Sequence, residues 1–131
     1  MNKPEPLFSS SRAFRLWRYS VEHSELVLRT DDDPEDLVEL LFEGVLSVRF
    51  DQLRFADIVV GRAEDHILQS PTVDIPHLCI ELGSAGHSAE VVCRRLTCVG
   101  GTYPDGKILW TVSAGRPRSR RHAELPAVER T

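Results

Sequence analysis

Asp36-Leu37-Val38-Glu39-Leu40-Leu41-Phe42-Glu43-Gly44-Val45-Leu46-Ser47-Val48-Arg49-Phe50 decides how this chain folds. Its even positions, Val38, Leu40, Phe42, Gly44, Leu46, Val48 and Phe50, are all apolar or glycine. The odd positions mix Leu37, Leu41 and Val45 with Glu39, Glu43, Ser47 and Arg49. A period of two over this length marks an extended backbone with one face turned to a core. A helix over the first half is the competing reading, with Asp33 as cap, Pro34 at its first position and Gly44 past its end. The alternation continues beyond Gly44, where no helical signal persists, so the strand is preferred and Gly44 becomes a bulge or bend.

Outward from that stretch, β-forming segments follow one another. Arg12–Val21 and Ser24–Thr30 read as strands joined by a short polar turn, and Asp31-Asp32-Asp33-Pro34 as a loop. Arg54–Gly61, His77–Leu82, Ser88–Val99 and Lys107–Ser113 complete about seven strands. Gly83-Ser84-Ala85-Gly86-His87 and Tyr103-Pro104-Asp105-Gly106 supply turns. Arg62–Ile75 is less regular and is assigned a short helical turn near Ala63–Leu68, with a loop bracketed by Pro71 and Pro76. Such a series predicts a mainly β domain over 1–115, an antiparallel sandwich or small barrel. Residues 1–11 read as loose, and the Arg-rich stretch 116–131 as a disordered tail.

Composition bounds the function only broadly. The 131 residues suffice for one core without staples, and no apolar run reaches the length of a membrane helix. The amino terminus lacks the apolar segment of a secretory signal, and Cys79, Cys93 and Cys98 form no CxxC pair. A reducing cytoplasm is the expected location, with buried free thiols; one Cys79–Cys93 cross-strand bridge is the alternative. The tail carries five Arg against Glu124 and Glu129, a net of +3, so with −4 overall the body carries −7. Within the body, Asp31, Asp32, Asp33, Glu35, Asp36, Glu39 and Glu43 occur with no basic residue among them.

Three constellations could carry chemistry. The acidic run at Asp31, Asp32, Asp33 and Glu35 could steer a basic protein partner, although its spacing is not that of a calcium loop. Trp17, Tyr19 and Trp110 could line a pocket for a small molecule or lipid. His77 and Cys79, two apart on one strand, could join His87 and Cys93 around a metal, although the spacing matches no familiar zinc motif. No cofactor is expected. Glu22-His23-Ser24 does not build a triad, because strand neighbours face opposite sides, and no phosphate loop or nucleophile elbow is present. The tail has no aromatics interleaved to stack on nucleic-acid bases.

Two stretches resemble a known group. His23-Ser24-Glu25-Leu26-Val27-Leu28-Arg29 follows an aromatic-rich first strand, and Phe42-Glu43-Gly44-Val45 lies in the alternating segment. Across Arg12–Gly61 they are similar to small uncharacterised bacterial proteins, some grouped with immunity proteins of polymorphic toxin systems. That resemblance implies a cytoplasmic, non-enzymatic β-domain that masks a protein partner. Phe42 and Val45 would then be structural and Gly44 a bend. The rival functions are a small-molecule-binding β-barrel and a small enzyme. An exposed edge strand could also pair two copies into a dimer.

Overall fold

The computed structural model describes residues 4–84, 86–101 and 106–119, all of them strand or connection, with no helix among them. Twelve strands follow in order: β1 (Glu5–Ser10), β2 (Phe14–Ser20), β3 (Glu25–Thr30), β4 (Val38–Glu43), β5 (Ser47–Phe50), β6 (Arg54–Phe55), β7 (Ile58–Gln69), β8 (Val73–Ser84), β9 (His87–Cys93), β10 (Arg95–Gly100), β11 (Lys107–Ser113) and β12 (Arg118–Ser119). One sheet runs β1-β7-β8-β9-β5, with β12 also against β8. The other runs β11-β10-β4-β3-β2-β6. Neither closes on itself, and the two form an antiparallel β-sandwich.

The deciding stretch is extended, as its alternation predicts. It is not one strand, however. β4 belongs to the second sheet and β5 to the first, and the chain changes sheets at Gly44, whose φ is +64°. Ser88–Val99 divides in the same way into β9 and β10, changing sheets at Arg94, and Arg54–Gly61 divides into β6 and β7. The first two crossings lie against each other. The Arg94 amide donates to the Glu43 carbonyl at 2.9 Å, and the Leu46 amide to that of Val92 at 2.7 Å. A period-two pattern shows that a chain is extended but not which sheet it joins, so ten of the twelve strands read as about seven, while β1 and β12 fall in stretches read as loose.

Alternation fills the core. In the second sheet Leu26, Phe42, Leu96 and Val112 lie side by side in register, as do Leu28, Leu40, Cys98 and Trp110. Ile58, Val60, Leu78, Ile80, Leu82, Ala89 and Val91 of the first sheet meet them in one buried cluster. Burying each such aliphatic side chain stabilises the fold by roughly 1.5–3 kcal/mol.

Three segments expected to be irregular are ordered. Glu5–Ser10 pairs with β7, so the amino-terminal stretch is an edge strand. The segment assigned a helical turn continues β7, with a register shift between Ala63 and His66, and Pro76 sits inside β8 opposite Ile67. A proline is tolerated there because the β9 ladder stops at Leu78, which leaves no donor demanded of Pro76 on that side. The two long strands are joined at Ser70, whose hydroxyl donates to the Val73 carbonyl (2.8 Å) and accepts its amide (3.1 Å). The first residues of the expected tail are also placed, because Arg118 and Ser119 pair with Asp74 and Val73. The rest of that tail, the Tyr103-Pro104-Asp105 part of the expected turn and Ala85 lie outside the described residues.

Candidate functional site

Asp33 does not start a helix. Its side chain accepts the Glu35 amide (3.0 Å) and its carbonyl the Asp36 amide (3.2 Å), which closes a turn before β4. The acidic run gains in space the cations it lacks in sequence. Arg12, before β2, donates to both Asp32 oxygens, with the closest contact at 2.7 Å, and lies 3.7 Å from Asp36. Arg54 of β6 reaches Asp31 at 3.1 Å, and Arg95 reaches Glu43 at 2.8 Å. Arg29 is paired with Glu39 beside it in the ladder. The run is therefore a paired rim, not a bare anionic face.

The Arg12 hydrogen bond holds the Asp32 carboxyl below its ordinary value of 3.8. A lowered folded-state pKa contributes stability above the ordinary value and loses it as pH falls through the folded one. Asp32→Asn will therefore unfold at lower urea than the native chain at neutral pH, and the two midpoints will converge below pH 3.8. A gap that stays undiminished as the pH falls well below 3.8 would remove the ion pair as its cause. Solvent screens this exposed pair, so the gap will be small.

Beside the rim lies an exposed aromatic of β2, Trp17. The β2–β3 register slips between Leu16 and Arg18, leaving Trp17 as the extra residue of a bulge. Trp17 is 48% exposed, with the Arg29 guanidinium 4.2 Å from its ring and that of Arg15 at 5.2 Å. These are cation–π distances, and the Arg29–Glu39 pair fixes the nearer cation. Trp17, Arg15, Arg29, Thr30, Asp31, Pro34 and Leu37 line an open cleft of about 300 Å³, most of whose wall is apolar. Asp31 thus belongs to the same site as Trp17, a juxtaposition that the sequence reading missed. The shared parity of Arg15 and Trp17 was readable, but the bulge was not.

The other constellations disperse. Trp110 faces the interior against Phe8, with ring centroids 5.8 Å apart, and Tyr19 lies opposite Leu26. Trp17, Tyr19 and Trp110 therefore do not share one cavity. Cys93 is in the core, whereas Cys79, its neighbour's partner in register, points its Sγ to Glu90 Oε2 at 3.3 Å on the outer face. Residues on opposite faces can form neither the bridge nor a metal site. His77 is buried with Nδ1 3.1 Å from the Ile75 carbonyl, and burial lowers its pKa, while His87 sits at the far end of the same hairpin. Among the described residues no cluster of His, Cys, Asp and Glu could hold a metal ion. Burial raises both Cys79 and Cys93 to about 12 and Cys98 to about 11, so none is an activated thiol.

A cleft of about 520 Å³ opens at the β8–β9 turn, lined by Ala13, Gln52, Arg54, Ala56, Ser84 and His87. Its serine is not activated. The Ser84 hydroxyl donates to Asp57 at 2.9 Å, while His87 faces Asp51 at 3.5 Å. Nucleophile and base thus each answer to a separate carboxylate. His23 lies in the β2–β3 turn and Glu81 is exposed on β8, and neither lines this cleft. No family model, curated protein or solved structure matches this chain.

Proposed function

We propose that this chain is a non-catalytic binding protein that masks a protein partner with the outer face of its second sheet, centred on the Trp17 cleft. The observation that carries this reading is a half-exposed tryptophan held by Arg29 and Arg15 over a small apolar hollow. Interfaces concentrate binding energy in rigid aromatic and arginine anchors of this kind, ringed by polar groups that exclude water. The paired rim of Asp31, Asp32, Glu39 and their arginines supplies that ring, and Asp33 and Glu35 occupy the exposed turn beside it. The immunity-like resemblance over Arg12–Gly61 agrees in class, because such proteins act by covering a partner.

Affinity capture from lysate of the source cells tests the reading. A protein retained by the native chain and released by Trp17→Ala, with the circular dichroism spectrum unchanged, is the expected result. The loss in affinity should be at least about 30-fold, since an anchor residue is worth roughly 2 kcal/mol or more. Equal retention by both would overturn it.

A further inference from the structure

Four charged residues lie side by side across the second sheet. The ladder sets Arg54 of β6 opposite Arg15 of β2, Arg15 opposite Arg29 of β3, and Arg29 opposite Glu39 of β4. Like charges directly opposite one another destabilise a sheet, so two arginine–arginine pairs in one row are a cost to the fold. The outer two arginines are relieved. Arg54 reaches Asp31 at 3.1 Å, and Arg29 is paired with Glu39. Arg15 is not. It is exposed, no carboxylate meets it among the described residues, and its cation is met only by the Trp17 ring at 5.2 Å. The row and its partners thus hold three cations (Arg15, Arg29, Arg54) against two carboxylates (Asp31, Glu39). The surplus positive charge sits on the wall of the mostly apolar cleft beside Trp17.

We propose that Arg15 and Trp17 receive an acidic side chain of the masked partner, with its carboxylate on Arg15 and an apolar neighbour in the cleft. This inference rests on the protein-masking reading and adds the chemistry of the anchor. A cation–π contact engages the charge of a guanidinium but leaves its N–H donors, whose planar fork matches a carboxylate. Trp17, Pro34 and Leu37 offer surface to the apolar neighbour. One carboxylate cancels the surplus and relieves the repulsion that the row carries. The same count of charge disfavours a nucleic acid. A chain of phosphates would run into Asp32, Asp33 and Glu35, which share the β3–β4 connection with the cleft residues Asp31 and Pro34. The arginines nearest that connection are already engaged, Arg12 by Asp32 and Arg54 by Asp31.

Capped peptides titrated into the full chain give the test: acetyl-Leu-Glu-Leu-amide and the same peptide with Gln in place of Glu. The chain has two tryptophans, so the indole N–H signal of Trp17 is read by NMR and assigned with Trp17→Phe. The Glu peptide should move that signal and bind about tenfold tighter than the Gln peptide, the worth of a charge-assisted hydrogen bond. Added salt should narrow the difference. Arg15→Gln, folded by circular dichroism, should abolish the preference, and Arg15→Lys should keep part of it. No shift with either peptide, equal binding of the two, or a preference that survives Arg15→Gln would overturn the proposal. Tighter binding of phenylacetate would overturn it in favour of a free small molecule, and tighter binding of oligothymidylate in favour of nucleic acid. The two readings fail separately. A protein captured through Trp17 while the Glu and Gln peptides bind alike would sink the carboxylate alone, and a Glu preference with no protein captured would remove the partner and keep the carboxylate site.

Discussion

Phe42→Ala lowers the unfolding free energy by about 3–5 kcal/mol, as measured by urea denaturation, while Leu41→Ala beside it lowers it by less than half as much. Phe42 is fully buried, in register between Leu26 and Leu96 and part of the cluster shared by both sheets. Truncation removes the ring's transfer energy and leaves a cavity that two rigid ladders cannot collapse into. Leu41 lies on the other face of the same strand between Val27 and Thr97 and is only partly buried, so its truncation removes less buried surface. Domains of this size are stable by only about 5–15 kcal/mol, so the first substitution removes a large share of the total. Equal losses at 41 and 42 would mean that the strand does not present alternate faces, and the architecture would fall with it.

Gly44→Ala is the second large effect, a loss of about 2–4 kcal/mol from two separable causes. At φ +64° any side chain is strained by roughly 1–2 kcal/mol. The added methyl would also stand 2.7 Å from Arg94 Cβ and 2.6 Å from its Cγ. Because a Cβ cannot swing away, Arg94→Ala will relieve only the Cγ contact and keep the one at 2.7 Å, whereas Arg94→Gly will remove both. A double-mutant cycle between Gly44→Ala and Arg94→Gly should therefore show favourable coupling. Strict additivity would show that the two crossings do not touch. Arg94 also donates to the Pro76 carbonyl, so its own replacement is destabilising and the cycle must subtract that effect.

These two positions show what was legible in the sequence. The inward face of β4 followed from alternation, since each apolar side chain must leave water. The sheet changes at Gly44 and Arg94 were invisible, because extended backbone looks the same on either side of a crossing. The loop-like reading of Arg62–Ile75 failed for a related reason: His66, Pro76 and the polar residues between them break the pattern, yet the hairpin ladder holds them extended. At the candidate site, the acidic run and Trp17 were each noticed, but their meeting depends on a bulge and on arginines from four other places in the chain. Ion pairing between residues distant in sequence leaves no periodic trace.

The crossings at Gly44 and Arg94 have a mechanical consequence. A sandwich whose layers were built from separate stretches could open like a book, one leaf lifting from the other. Here the covalent chain stitches leaf to leaf at two adjoining points, with β4 and β10 neighbours in one layer and their continuations β5 and β9 neighbours in the other. Parting the layers means tearing both ladders at once, so the molecule resists prying until it gives way as a whole.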